Sequence, residues 1–394
     1  MKVPLLDLNT QNLPLEAELT AAFTRVLHSG IFIMGPEVTA FEKEVAEMVG
    51  ARHAIGVSSG TDALLLALMA LGIGPGDEVL VPTFTFFATA GCVSRTGATP
   101  VFVDACPVCF NIDTRHAATK ITPRTKAIVP VHLFGQCADM DAVMALAATH
   151  NLRVLEDGAQ SIGARYKGRA SGTIGDFGSY SFFPSKNLGG FGDGGMLVTN
   201  DDALADRARL LRTHGSRPKY FHSLVGGNFR LDSLQAALLR VKLARYADYT
   251  AARQANAAAY TAALSQIPGV TVADPAHCRC LAAQDKATGG ARLILPVAYA
   301  HNEHIWNQYT VRVPGPGARD ALQAHLQSQQ IGCEIYYPRT MDQQDCFRDT
   351  PEASRSGCET AHRLSAESVS LPIYPELPAD HRARVIDAVA SFLA

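Results

Sequence analysis

Short runs of Val, Ile, Leu and Phe recur along the first half of the chain, at 78–82, 99–104, 127–133, 153–156, 178–183 and 194–199. Short apolar runs of this kind predict strands. Amphipathic stretches lie between them. Residues 62–71 and 139–150 read as helices, the second with Met140, Val143, Met144 and Ala147 spaced to share one face. Apolar strands alternating with helices predict an α/β sheet covered on both sides. Residues 233–265, rich in Ala, Leu, Arg and Gln, predict one long helix leading away from that sheet. The expected boundary falls near residue 245, with a large domain over 1–245, N-terminal segment included, and a smaller C-terminal α/β domain over 246–394. The second unit runs through 308–313 to a helix at 380–393. Residues 268–290 collect Pro, Gly and polar clusters and read as a loop or insertion.

Composition narrows the function classes. The 394 residues carry 35 basic and 37 acidic side chains, a net charge of -2. That leaves no global field to hold nucleic acid or an acidic membrane, and neither partner is expected. The longest apolar run, 64–73, is about half the ~20 residues that span a bilayer, so a cytoplasmic protein without a targeting segment is expected. Nine cysteines, an odd count scattered over the chain, read as reduced thiols. Cys106, Cys109, Cys278 and Cys280 can be imagined as a zinc set, but the second pair is spaced too tightly and no histidine pattern supports it. No metal is expected.

The chemistry gathers where apolar runs end. Leu155-Glu-Asp157-Gly-Ala-Gln160 and Ser181-Phe-Phe-Pro-Ser-Lys186 both pass at once from strand to polar groups. In open α/β sheets, ligands sit at strand carboxyl ends, so Asp157, Gln160, Ser181 and Lys186 are candidates for one crevice. Singly, Asp157 reads as a helix cap and Lys186 as a surface lysine. Upstream, Ser58-Ser-Gly60-Thr61-Asp62 opens a helix whose free N–H groups and dipole suit an anion. An anion-binding turn, a strand-end carboxylate and a lysine some thirty residues later are what a pyridoxal 5'-phosphate (PLP) enzyme needs. The lysine forms an imine with the cofactor, the carboxylate keeps the pyridine nitrogen protonated, and the turn holds the phosphate. Gly190-Phe-Gly192-Asp-Gly-Gly195 matches a dinucleotide fingerprint, but a predicted strand follows it where that fingerprint needs a helix.

Further motifs accompany these: Leu6-Asp-Leu, Gly35-Pro-Glu-Val-Thr, Ser59-Gly-Thr-Asp-Ala-Leu, Gly74-Pro-Gly-Asp-Glu-Val, Pro82-Thr-Phe-Thr-Phe-Phe-Ala-Thr, Gly192-Asp-Gly-Gly, Asn228-Phe-Arg-Leu-Asp and Gln308-Tyr-Thr-Val-Arg. With them the chain resembles, over nearly its whole length, the DegT/DnrJ/EryC1/StrS family of nucleotide-sugar aminotransferases. The resemblance implies PLP fold type I, with a mostly parallel seven-stranded sheet between helices and a smaller C-terminal domain. It implies Lys186 as the Schiff-base lysine, Asp157 at the pyridine nitrogen, Gln160 by the ring hydroxyl and Phe86 stacked on the ring. Gly60, Thr61 and Ser181 are implied at the phosphate, with Asp62 counted in the same turn. Asn228 is implied at the phosphate of the opposite subunit and Arg230 at the nucleotide diphosphate there, which makes a homodimer with shared sites. Tyr309 is counted with Arg230 as substrate-binding. His132 and His214 lie in nearby motifs and are read as structural.

The implied reaction moves an amino group from an amino acid, L-glutamate by expectation, to a keto group of a nucleotide-linked sugar. Gly135-Gln-Cys-Ala-Asp-Met-Asp and Asn307-Gln-Tyr-Thr-Val-Arg resemble members acting at C3 of a UDP-linked sugar in polysaccharide or glycan biosynthesis. Action at C4 of a dTDP- or UDP-linked sugar, and a catalytically silent regulatory homologue, are the alternatives. Lys186 argues against a related lyase, which carries histidine there. Tyr336-Tyr-Pro-Arg339-Thr-Met departs from the common His-Tyr-Pro-Ile-Pro-Leu and leaves substrate contacts in that segment open.

Overall fold

In the computed structural model, which describes residues 2–274 and 290–394, the apolar runs pair into one seven-stranded sheet. Its strands lie among β1 (His53–Val57), β2 (Glu78–Pro82), β3 (Thr99–Val103), β4 (Thr125–Ile128), β5 (Arg153–Asp157), the hairpin strands β6 (Arg165–Tyr166) and β7 (Arg169–Ala170), β8 (Phe177–Ser181) and β9 (Gly195–Thr199). The spatial order is β1, β9, β8, β5, β4, β2, β3. Neighbours are parallel except β9, which runs antiparallel to β1 and β8. β1 is absent from the predicted runs because it begins at a histidine and holds a glycine. Pairing along its whole length with β9 completes it. The run at 127–133 is a regular strand only to Ile128: Pro130 has no N–H to give a ladder, although its carbonyl accepts from the Asp157 N–H at 2.9 Å and Val131 still bridges Asp157.

The helix Gly60–Leu71 is apolar almost all round, with Ala63, Leu64, Leu65, Leu66, Ala67 and Leu68 buried. It packs in one core with Val79, Val81, Phe102 and Leu155 of the sheet. Burial contributes about 1.5–3 kcal/mol for each leucine, which holds the helix N-terminus rigidly against the strand ends.

The predicted long helix is two helices, Ser233–Leu243 and Tyr246–Leu264. Neither Gly nor Pro marks the break. Packing sets it: Ala236, Leu239 and Tyr246 enter the core on the other face of the sheet, and the Tyr246 hydroxyl donates to the Ile162 carbonyl at 2.5 Å. Ala257, Tyr260 and Leu264 turn toward a second core. That core lies against strands drawn from β10 (Val270–Val272), β11 (Leu293–Leu295), β12 (Asn302–Glu303), β13 (Tyr309–Arg312) and β14 (Ser368–Leu371). β12 joins β6 and β7, while the rest form a four-stranded sheet ordered β10, β11, β13, β14. β10 falls in the stretch expected to be a loop, of which residues 275–289 lie outside the described residues.

Residue 245 does not divide the two cores cleanly. Val3 packs into the second core and bridges Ile331, whereas Met341, Phe347, Cys358 and Leu364 return to the first. Among the described residues, no helix is long and apolar enough to cross a membrane. Cys278 and Cys280 lie outside those residues, and no group of three metal-ligating side chains converges among the rest.

Candidate active site

A pocket of about 600 Å³ opens at the carboxyl ends of the sheet strands, lined by Gly60, Thr61, Phe86, Asp157, Gln160, Ser181 and Lys186 together. The parallel strands deliver their ends to one edge, so residues a hundred positions apart meet there.

The turn after β1 builds one end of it. Ser59 caps the helix Gly60–Leu71, its Oγ accepting from the Asp62 N–H at 3.0 Å. The N–H groups of Gly60 and Thr61 stand in the first turn, where a helix has no carbonyl to offer them. Gly60 lies so close to β8 that a Cβ there would be 2.7 Å from the Ser181 Cβ. At Gly195 a Cβ would run into the Ser59 carbonyl. The glycine-rich stretch 190–195 therefore lets β9 pass beside the turn, and the strand that follows it excludes the dinucleotide reading. The Asp62 carboxylate does not line the pocket. It accepts from the Ser58 Oγ at 2.6 Å and sits in the first helical turn, where it complements the dipole.

Asp157 ends β5 and is buried. Its Oδ2 accepts from the Thr89 Oγ1 at 2.8 Å and its Oδ1 from the Ala159 N–H at 3.1 Å. Burial raises its pKa; those two hydrogen bonds and the charge of Lys186 act the other way without cancelling it. Lys186 follows β8 in a turn closed by its N–H to the Phe183 carbonyl at 2.8 Å. Burial pushes its ammonium down to about 8, opposed by the Asp157 carboxylate. A substantial share of neutral amine at pH 7 to 8 makes Lys186 able to act as nucleophile and base. Gln160 is held at both ends of its amide, accepting from the Phe134 N–H at 2.6 Å and donating to the Tyr337 hydroxyl at 3.2 Å. Phe86 is 58% exposed, its ring centroid 6.3 Å from that of Tyr337.

His132 is structural, as read. It is fully buried, its Nδ1 accepts from the Ala138 N–H at 3.1 Å, and its Nε2 therefore donates to Glu156 at 2.8 Å. Glu156 also takes the N–H groups of Gly172, Ile174 and Gly175. With the His132 N–H on the Asp157 carbonyl, this buried pair anchors the strand end that carries Asp157.

Besides Asp62, three further expected site residues do not line this pocket: Tyr309, and Asn228 and Arg230, which were expected to serve the opposite subunit. Tyr309 is fully buried in the second core, its hydroxyl 2.8 Å from the Thr261 Oγ1. Asn307 and Gln308 line the pocket in its place. Asn228 and Arg230 line a separate polar hollow of about 270 Å³ that shares Asp193 with the main pocket. Residues not singled out beforehand include Thr85 and Thr89, whose hydroxyls lie 3.1 Å apart behind Asp157. Only their place in the Pro82-Thr-Phe-Thr-Phe-Phe-Ala-Thr motif signals them. In the departing segment Tyr336 and Tyr337 face the pocket, whereas Arg339 is exposed and 3.5 Å from Asp345. Asp342 docks this segment on the end of β2 by accepting from Thr83, Thr340, Ser356 and His362.

An amine of lowered pKa, a buried carboxylate and a helix-terminus anion site in one pocket fit PLP, an aromatic phosphate with a basic ring nitrogen. Comparison with known proteins agrees. Residues 14–390 match the model of the DegT/DnrJ/EryC1/StrS aminotransferase family. The chain is 43% identical over 392 residues to a "Pleiotropic regulatory protein" of Geobacillus stearothermophilus, covering 100% of this chain and 99% of that one. It is 42% identical to a UDP-N-acetyl-3-dehydro-alpha-D-glucosamine 3-aminotransferase of Acidithiobacillus ferrooxidans, covering 98% and 97%. The solved structure of S. venezuelae DesV superposes with a TM-score of 0.90 at 42% identity, over 100% of this chain and 98% of that one. By its fold, its pocket and these matches, the chain belongs to the DegT/DnrJ/EryC1/StrS aminotransferase family and is a PLP-dependent aminotransferase.

Proposed function

We propose that this aminotransferase moves an amino group from L-glutamate to the keto group at C3 of a UDP-linked sugar, in the cytoplasm, for polysaccharide or glycan biosynthesis. The observation that carries the reading is Lys186, with its lowered pKa, in the same pocket as the buried Asp157 and the Ser59–Thr61 turn. A silent regulatory protein has no use for a buried lysine of lowered pKa beside a buried carboxylate, so the regulatory name of one relative does not displace it. The Acidithiobacillus relative supports the UDP-linked, C3 choice by its name.

When bound, PLP supplies the electron sink and carries nitrogen between the two substrates. The N–H groups of Gly60 and Thr61 and the Ser181 hydroxyl would hold its phosphate. Asp157 would keep a proton on its ring nitrogen, Gln160 would serve its hydroxyl and Phe86 its ring face. Lys186 anchors the cofactor, then takes and returns the proton at the carbon that loses or gains nitrogen. Donor and acceptor use the pocket in turn, which makes the kinetics ping-pong. The test is a panel of C3- and C4-keto sugars linked to UDP and dTDP, supplied with glutamate and read by mass spectrometry of the amino sugar. Fastest turnover of the UDP-linked C3 substrate is expected. Preference for a C4-keto sugar overturns the regiochemistry.

Asn228 and Arg230 we assign to the neighbouring subunit's site in a homodimer. Ile33 lines their hollow, and Phe32, Ile33, Phe183 and Phe191 are all exposed apolar side chains, the kind of surface a partner covers. Arginine can grip a diphosphate bidentately there. Mixing an inactive Lys186→Ala chain with an inactive Arg230→Ala chain is expected to restore activity, because a mixed dimer holds one intact site. Mixed dimers without activity would confine Arg230 to its own chain.

A further inference from the structure

The segment before β13 offers the pocket a residue with no assigned role. Side chains of a strand alternate, so the burial of Tyr309 in the second core turns the preceding Gln308 the other way, toward the pocket it lines. The backbone there is bolted to the large domain. The Ile305 N–H donates to the Gly135 carbonyl at 3.0 Å and the Asn307 N–H to the Phe134 carbonyl at 2.9 Å. The Asn307 Nδ2 donates to the Asn187 Oδ1 at 2.7 Å, which fastens the segment to the residue next to Lys186. Gly135, at φ +100°, leaves no room for a Cβ beside the Asn307 N–H, 2.9 Å away. Gln308 is thus held in place by its neighbours while its own amide is uncommitted.

Most polar side chains of the pocket are engaged within the protein: Gln160 at both ends, Asp157 by Thr89 and Ala159, Ser59 by Asp62. The Asn307 Oδ1 and the Gln308 Oε1, by contrast, are shielded from water and have no hydrogen-bond partner, and of the two only Gln308 has its whole side-chain amide uncommitted. A carbonyl oxygen kept dry without a donor is unfavourable until a ligand brings an O–H or N–H to it. Apart from the amine it gives up, glutamate offers two carboxylates, which only accept. A sugar offers a hydroxyl or an acylamino N–H on the carbons flanking its keto group.

We infer that Gln308 selects the acceptor by accepting a hydrogen bond from a hydroxyl or N–H on a carbon adjacent to the reacting keto group. This rests on the keto-sugar reading above. A site built to pair a substrate donor rejects the analogue that lacks it, because its own polar group is then left unpaired.

The test uses the PLP-loaded enzyme and the variants Gln308→Leu and Gln308→Glu, the second of which keeps an accepting oxygen. The two half-reactions are followed separately by cofactor absorbance, first with glutamate and then with the keto sugar. Binding of the amino-sugar product is measured by calorimetry. For Gln308→Leu, a fall in kcat/KM about tenfold larger in the acceptor half than in the donor half is expected, with a matching loss of product affinity. The parent is expected to discriminate about tenfold against one of two acceptors, in which the hydroxyl or the acylamino group adjacent to the keto carbon is replaced by hydrogen; the Leu variant loses that preference and the Glu variant keeps most of it. Equal losses in both halves, or unchanged discrimination in the Leu variant, overturn the assignment of Gln308 while leaving the function intact. A parent that aminates no nucleotide-linked keto sugar overturns both.

Discussion

Lys186→Ala is expected to lower glutamate-dependent amination by at least about a thousandfold, to the limit of detection, while the protein stays folded. General acid–base transfer alone accounts for about 10²–10⁴ in rate, and this residue is also the proposed anchor of the cofactor. No other amine lines the pocket among the described residues to replace it. Circular dichroism separates loss of chemistry from loss of fold, and turnover near the parent rate would sink the assignment. The lowered pKa adds a signature in the parent protein. Burial favours the neutral amine, which is the form that attacks an aldehyde, so uptake of PLP by cofactor-free enzyme should quicken as pH rises and level off above about pH 8. A lysine with the ordinary value would keep gaining rate for two further pH units.

Asp157→Asn is expected to keep PLP bound and lower kcat by about a hundred- to a thousandfold, the scale seen when one preorganised electrostatic partner is removed. The change is nearly isosteric. Asparagine can accept from the Ala159 N–H through its carbonyl oxygen and donate to the Thr89 hydroxyl, and the Gly60–Thr61 turn proposed to hold the phosphate is untouched. What is lost is the negative charge proposed to keep a proton on the cofactor's ring nitrogen. Because burial works against the charged carboxylate, its removal should leave the melting temperature within a few degrees of the parent's. Cofactor absorbance and kcat decide the matter together: full activity points to another partner for the ring nitrogen, and loss of bound PLP points to a packing role for Asp157.

Sequence order carried some of this site and hid the rest. Asp157 and Lys186 were legible because each stands at most three residues after an apolar run, and polar or charged groups at the end of such a run mark a strand end that can face ligand. The Ser59–Asp62 turn was legible for the same local reason, a cap followed by an apolar helix. Thr89 was not. Its hydroxyl is one among many in its segment, and only the register of β2 against β4 and of β4 against β5 brings it to a carboxylate sixty-eight positions away.

The chain's own order of residues therefore determined most of the elements that form, where the Ser59–Asp62 turn opens its helix and which amine and carboxylate stand at strand ends beside it, since those follow from spacing and side-chain type within a few residues. Tertiary packing decided the break between Leu243 and Tyr246, where two cores pull successive turns apart with no Gly or Pro to announce it. It decided that Val3 joins the second core and Met341 the first. It also chose between the neighbours Gln308 and Tyr309, which share one polar and aromatic motif. Which of the two faces ligand depends on the side of β13 that the helices Tyr246–Leu264 and Ala379–Leu393 cover, and burial of apolar surface against distant elements is set by the whole fold.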